Sequence, residues 1–205
     1  MKKVFLFLAL ATMLLSTTEL KAQIGFHVGY APQWHKTTNK VTDSLSTHLL
    51  HGFYAGVHYT FGIVENLDIV TSLQVRMNSA TVKESNISTQ YWQLAAEIPV
   101  FFNYGFPVHK DMKIGIMAGP MLSVGINYTE KKTKTDVDEP EIIDTNDFYG
   151  SNERKRVELE AAIGVNFQYK TYMIFGGYSF GLYNLDKRDD YVSKIGGFFV
   201  GIAFH

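Results

Sequence analysis

Between Trp92 and Tyr104 the chain alternates. Trp92, Leu94, Ala96, Ile98, Val100, Phe102 and Tyr104 fall on one side; Gln93, Ala95, Glu97, Pro99, Phe101 and Asn103 fall on the other. The same happens from Met112 to Ile126. There Met112, Ile114, Ile116, Ala118, Pro120, Leu122, Val124 and Ile126 oppose Lys113, Gly115, Met117, Gly119, Met121, Ser123 and Gly125. Residues two apart share a face in an extended strand, so this period predicts two long strands. Each has one apolar face and one small, polar face with an ionisable group. Six further stretches follow the rule: 23–30, 51–61, 67–78, 157–169, 172–182 and 194–204. In the third strand Leu67, Ile69, Thr71, Leu73, Val75 and Met77 oppose Asp68, Val70, Ser72, Gln74, Arg76 and Asn78.

The connections alternate in length: 31–50 long, 62–66 short, 79–90 long, 105–111 short, 128–156 very long, 170–171 minimal, 183–193 medium. Fourteen of the 29 residues from 128 to 156 are charged, which predicts a segment excluded from any core. An even strand number with alternating short and long connections predicts an all-β fold: an eight-stranded antiparallel up-and-down transmembrane β-barrel. Its short turns and both termini would be periplasmic and its long loops outside. The competing architecture is a soluble eight-stranded barrel with its apolar face turned inward. The minority face here mixes Gly, Ser and Ala with a few ionisable groups. That composition makes a poor solvent surface and a suitable filling for a narrow lumen.

The amino terminus adds an address. Lys2 and Lys3 precede an apolar run from Val4 to Leu15, and Leu20-Lys21-Ala22 offers a cleavage site before Gln23. An apolar run of this length is expected to be a cleavable signal peptide (residues 1–22), leaving residues 23–205 as one barrel domain in the cell outer membrane. Removing Lys2, Lys3, Lys21 and Glu19 lowers the counts of 19 basic and 20 acidic residues to 16 and 19, a formal charge of −3. No basic excess is left to attract nucleic acid. The absence of Cys removes disulfide and thiolate chemistry. Seventeen Gly, fifteen Phe and twelve Tyr suit strands and tight turns. The expected partners are outer-membrane lipid and lipopolysaccharide.

Charges in a narrow lumen need partners. Strand direction puts Asp68 and Lys113 near the periplasmic end, Glu97 near mid-height, and Arg76, Glu158 and Glu160 toward the outside. We therefore expect a structural network that joins Arg76 to Glu158 or Glu160 and plugs the barrel. A rim enzyme would need a nucleophile, a base and an orienting group. Ser46 with His48 and His51, or His35, supply the candidates, and solvated loop histidines are the simpler reading. His27 and His58 face inward on neighbouring strands, but two histidines without a third ligand fall short of a zinc site. Asp136, Asp138, Glu139, Glu141, Asp144 and Asp147 are closely spaced oxygen donors without the Gly and final Glu of a calcium loop. They read as a solvated segment repelled from lipopolysaccharide phosphate or bridged to it by cations. Lys131, Lys132, Lys134 and Arg154-Lys155-Arg156 are placed to contact lipid phosphates. No cofactor, metal or catalytic residue is expected.

Glu97-Ile98-Pro99, Gly119-Pro120, the Gly164 region and Tyr178-Ser179-Phe180-Gly181-Leu182-Tyr183-Asn184-Leu185 together resemble the PorT-like outer-membrane β-barrel family of the Bacteroidota. Its "EIP" strand, "GP" strand and "YxxGLxNL" pattern are structural. So is the fit of Lys21-Ala22 before Gln23 to signal ends in that phylum. The resemblance implies an accessory role in protein secretion of the type IX kind, with secretion-system proteins as partners. The residues themselves point to a structural or surface-interaction protein with no open diffusion channel. A lipid-modifying enzyme of the rim loops is the alternative from another class.

Overall fold

The computed structural model describes residues 22–84, 86–134, 141–151 and 153–204. The expected signal peptide, apart from Ala22, lies outside them, as do Asp136, Asp138 and Glu139 of the acidic run. Among the described residues ten strands form one sheet: β1 (Ala22–Tyr30), β2 (Gln33–Asn39), β3 (Ser44–Val64), β4 (Leu67–Glu84), β5 (Ile87–His109), β6 (Met112–Lys134), β7 (Glu141–Asp147), β8 (Val157–Tyr169), β9 (Tyr172–Gly181) and β10 (Tyr191–Phe204). Every pairing is antiparallel, and β1 pairs with both β3 and β10, which closes the sheet into a ring. β2 continues β1 between the same two neighbours, with Gln33 opposite both Leu50 and Gly197. The break falls at Ala31-Pro32, where proline has no N–H to give the ladder. Since β7 pairs only with the outer end of β6, the ring itself has eight staves.

The two ends differ as expected. Glu65-Asn66, Lys110-Asp111 and Lys170-Thr171 make the tight turns of one end. Asn66 and Lys170 hold left-handed backbone there, with φ of 68° and 53°. Ala22 opposite Phe61 and Phe204 opposite Tyr172 place both ends of the described chain beside these turns.

The strands run further than the apolar alternation predicts. Much of the expected loop 31–50 is a hairpin of β2 and β3 around residues 40–43, and most of 79–90 continues β4 and β5. The segment 128–156, expected to lie wholly outside the core, holds the end of β6 and all of β7, and it sends Tyr128, Tyr149 and Arg154 into the interior. The backbone ladder does not need an apolar face. Beyond the membrane both faces of a strand meet water, so period two in hydrophobicity fades while the hydrogen bonds go on.

The wall is apolar on the outside. Phe26, Phe53, Leu73, Phe102, Ile116, Val165 and Ile202 all lie exposed on it, Phe53 at 67 %. A water-soluble protein rarely leaves so large a continuous patch uncovered. Aromatic rings edge the band at both ends. Tyr172 packs on Phe204 at 5.5 Å and Tyr104 on Phe106 at 4.9 Å near the tight turns, and Phe198 lies 5.1 Å from Trp34 and 5.3 Å from Tyr178 near the other end. Two aromatic girdles around an apolar belt are the dress of a membrane-spanning barrel.

The Pro99 and Gly119-Pro120 pair has a mechanical role. Pro99 is opposite Met121 and Phe102 is opposite Ala118, but the ladder lapses between them, where Pro120 gives no N–H. Gly119 fits there because a Cβ would lie 2.0 Å from the Val100 carbonyl oxygen. Gly119→Ala should therefore force β5 and β6 apart and destabilise the barrel by about 1–3 kcal/mol. Urea unfolding of the refolded protein in micelles, read by heat-modifiable mobility on a denaturing gel, checks this.

Candidate functional site

The polar faces of β3, β4, β5, β6 and β8 converge at mid-lumen on charge. Arg76 is 2 % exposed, Glu97 and Glu158 1 %, and Glu160 not at all. Arg76 Nη2 lies 2.8 Å from Glu97 Oε1 and 4.0 Å from Glu158 Oε2, and Nη1 lies 3.9 Å from Glu160 Oε1. Arg76 thus faces both Glu158 and Glu160, the expected acids. Both are within ion-pair range, but Glu97 across β4 and β5 is the nearest acid. The Arg76–Glu97 contact is one of charge, without the angle of a hydrogen bond. Around it runs a chain of amides. Gln74 Nε2 donates to Glu97 at 2.6 Å, and His27 Nε2 therefore donates to Gln74 Oε1 at 2.8 Å. Asn78 Nδ2 donates to Gln33 at 2.9 Å and to Gln93 at 3.3 Å, while Gln33 Nε2 reaches Glu160 at 3.5 Å.

A second guanidinium, absent from the sequence-based network, completes the cluster. Arg154 Nη2 donates to Glu158 at 2.9 Å and Nη1 donates to His35 Nδ1 at 3.1 Å. Its guanidinium also covers the Tyr128 ring at 5.1 Å. Arg154 was expected to meet lipid phosphate; it is buried instead because its loop is tied across the lumen mouth. Arg154 N donates to Phe148 O, Lys155 N to Leu185 O and Lys187 N to Glu153 O. Tyr149 from the same loop enters the space that Gly125 leaves, and Gln93 Nε2 donates to its hydroxyl at 3.3 Å. At the clasp of the loops, burial would raise the Asp186 carboxyl. The hydrogen bonds and charge of Arg188 outweigh that and hold it below its ordinary value.

Below the charges the lumen is aromatic. Phe101 stacks on Phe199 with centroids 6.3 Å apart, and Phe175 adds a ring at 6.4 Å. The cavities beside these rings measure about 50 and 40 Å³, room for a few waters at most. Asp68 and Lys113, expected in the same network, lie apart from it. They line the lower mouth with Asn103 and Gln168, around a cavity of about 270 Å³.

The remaining candidates separate. His27 and His58 are buried neighbours with ring centroids 5.6 Å apart, and among the described residues no group of three or more His, Cys, Asp or Glu is arranged to hold a metal. His51 faces outward, accepting or giving a 2.5 Å bond with Tyr30, and so parts from Ser46. Ser46 Oγ and His48 Nε2 do meet, at 2.8 Å, on the inner face of the rim, but among the described residues no carboxylate hydrogen-bonds His48 to orient it. Lys132 pairs with Glu130 along β6 and with Asp144 on β7, Lys155 donates to Asn184 O, and Arg156 donates to Ile126 O.

The chain matches the family model of the outer membrane protein beta-barrel domain over residues 16–187. No curated protein matches it. Among solved structures it is similar to Ail, the attachment invasion locus protein of Yersinia pestis, solved with the heparin analogue sucrose octasulfate. Identity is 14 % and the TM-score 0.47, over 89 % of this chain and 97 % of that one. Neisserial surface protein A matches at 13 % identity and TM-score 0.39, over 87 % and 96 %. The outer membrane protease OmpT of Escherichia coli matches at 6 % and 0.38, over 92 % and 99 %.

Because Arg76 faces three carboxylates, Arg76→Met should cost about 3–5 kcal/mol, the penalty of leaving buried charge without its partner. Glu160→Gln, which removes the excess negative charge of the cluster, should cost far less. Urea midpoints of the two variants in the same micelle decide the order.

Proposed function

The chain belongs to the outer membrane protein beta-barrel domain family, and from that premise we propose that it is a non-enzymatic surface-interaction protein without an open diffusion channel. The observation that carries this reading is the sealed lumen, with ion cluster above and stacked phenylalanines below. With transport closed, the fold offers its rim. β2, β3, β6 and β7 extend there as paired strands. Val41, Leu45, Ile142 and Ile143 stand exposed on that rim, Val41 at 74 %, apolar side chains in a place that otherwise favours charge.

The finer family assignment, a PorT-like barrel of the Bacteroidota, belongs to the same proposal. Its support is the Pro99 and Gly119-Pro120 junction, where the quoted motif has a backbone reason to exist. Residues 1–22 act as the cleaved signal peptide in this reading. Lipopolysaccharide is the proposed lipid partner. Lys36 and Lys194 are directly opposite on β2 and β10, both exposed, one step beyond Trp34 and its aromatic girdle. Like charges so paired repel unless an anion lies between them, and a lipid phosphate suits that position.

Two measurements test the proposal. Refolded mature protein in planar bilayers should show no stepwise conductance; stable open-channel steps would overturn the sealed-lumen reading. On cells, a photo-crosslinking residue at Val41, Leu45 or Ile142 should capture a protein of the outer membrane or beyond. Silence at all three positions would remove the interaction role.

A further inference from the structure

Above the membrane the sheet splits between β3 and β4. Their ladder climbs to His51 opposite Ser79 and stops, although β3 includes residues 44–50 and β4 residues 80–84 beyond that rung. Each of these ends stays paired on its other side, β3 with β2 and β4 with β5. Leu50 and Ala80 remain buried in one cluster with Tyr128 and Tyr149, so the split opens just above them. Ala31 N donates to Gly52 O, which turns the backbone groups of Gly52 toward the β1 and β2 side. Successive residues of a strand point these groups to opposite sides. Leu49, Thr47 and Leu45 therefore aim N–H and C=O at the split, and among the described residues no hydrogen bond takes them up.

An unpaired edge is a template for another strand, and proteins commonly guard it with charge, proline or a covering loop. The other rim edges are guarded in this way. β7, which pairs only with β6, carries Glu141, Asp144 and Asp147. The outer end of β10 is covered by the loop before it, where Leu185 N donates to Ser193 O and Asn184 Nδ2 to Tyr191 O. Across the split β4 presents Lys83. Residues 44–50 of β3 contain no Asp, Glu, Lys, Arg or Pro. Leu45 is 64 % exposed and Leu49 40 %, on the same outward face with Thr47 between them. A charged side chain laid on this edge would lose water and gain no partner. What completes the ladder is extended backbone, and what covers the two leucines is apolar.

We propose that the outer edge of β3 docks an extended, uncharged segment of a partner protein as an added antiparallel strand, with apolar or β-branched side chains opposite Leu45, Thr47 and Leu49. In such an addition backbone hydrogen bonds give the affinity and alternate side chains the specificity. The inference deepens the surface-interaction reading and rests on it.

The test uses refolded mature protein in micelles and a capped peptide, Ser-Val-Thr-Val-Thr-Val-Ser, which sets valines opposite Leu49, Thr47 and Leu45. Amide hydrogen exchange is followed residue by residue by NMR. In the free protein Leu45, Thr47 and Leu49 should exchange faster than Ser46 and His48, whose N–H groups face β2. The peptide should slow those three by about tenfold or more. N-methylation of its valines, whose N–H groups face β3 in the added strand, should abolish the protection. N-methylation of its threonines, whose N–H groups face away, should leave it. Thr47→Pro removes an N–H that β2 does not use, a change that an edge strand tolerates. It should weaken peptide binding about tenfold, and heat-modifiable mobility confirms that the variant folds. Edge amides already protected in the free protein overturn the proposal. So does an absence of slowing by the peptide, or protection indifferent to N-methylated valines. Rim crosslinks on cells that persist in Thr47→Pro would spare the interaction role and remove this edge; peptide protection without crosslinks would do the reverse.

Discussion

Two guanidiniums and three carboxylates share a lumen too narrow for bulk water to screen them, and the rest of the structure follows from that constraint. A ring of eight strands leaves room for side chains and little else. Charge placed there must be neutralised by neighbours on other staves. Arg76 on β4 meets Glu97 on β5 and the two glutamates of β8, and Arg154 descends from a loop to share Glu158. The contacts of Arg76 with Glu158 and Glu160 tie β4 to β8, staves that the backbone ladder does not connect directly. The cluster fixes the cross-section of the barrel as the ladder fixes its circumference.

The loop that carries Arg154 shows how interior and rim depend on each other. Its backbone is pinned to Phe148 and Leu185, and its side chain fills the charge deficit left by Arg76. Tyr149 enters through the gap at Gly125, and Tyr128 is held between Phe148 and the Arg154 guanidinium. The outer end of the lumen is thus closed by a segment that starts outside the membrane. Its order depends on the glutamates beneath it, and the orientation of His35 depends on its arginine.

Alternation in all eight stretches, with the alternating lengths of their connections, was enough to assign the ring, the inward glutamates and the outward aromatics, because membrane on one side and lumen on the other impose opposite demands on successive residues. Strand ends were less legible. Past the girdles, in Thr37, Thr47 and Lys131, no such contrast is imposed, and only the ladder shows that the strand continues. Arg76, Glu97, Glu158 and Glu160 were readable as a group because charges on a lumen face have few partners to choose from. Arg154 was not, since a basic residue in a run of charge looks like any solvated one. A signal did exist: three acids (Glu97, Glu158 and Glu160) and one base (Arg76) on the inward faces of the expected strands near the cluster leave a debt that a cation from elsewhere must meet. Asp68 and Lys113 share the face but not the height, and strand direction already places them at the opposite end of the lumen, too far to join the cluster.

The sealed lumen also bears on why the rim is built from strands. A flexible loop across an open pore would be free to fold in or out, and an aqueous channel would give its polar groups an alternative solvent. Here the plug removes that alternative, so polar backbone beyond the girdles can be satisfied only by water above or by a neighbouring strand. Pairing β2 with β3 and β7 with β6 satisfies it locally and fixes side chains in place. The same pairing that lifts Val41 and Leu45 into solvent holds His35 and His48 face to face over the lumen mouth. A rigid wall around a small polar space is what a loop-covered pore would lack. Closing the barrel is therefore a precondition for an ordered rim above it.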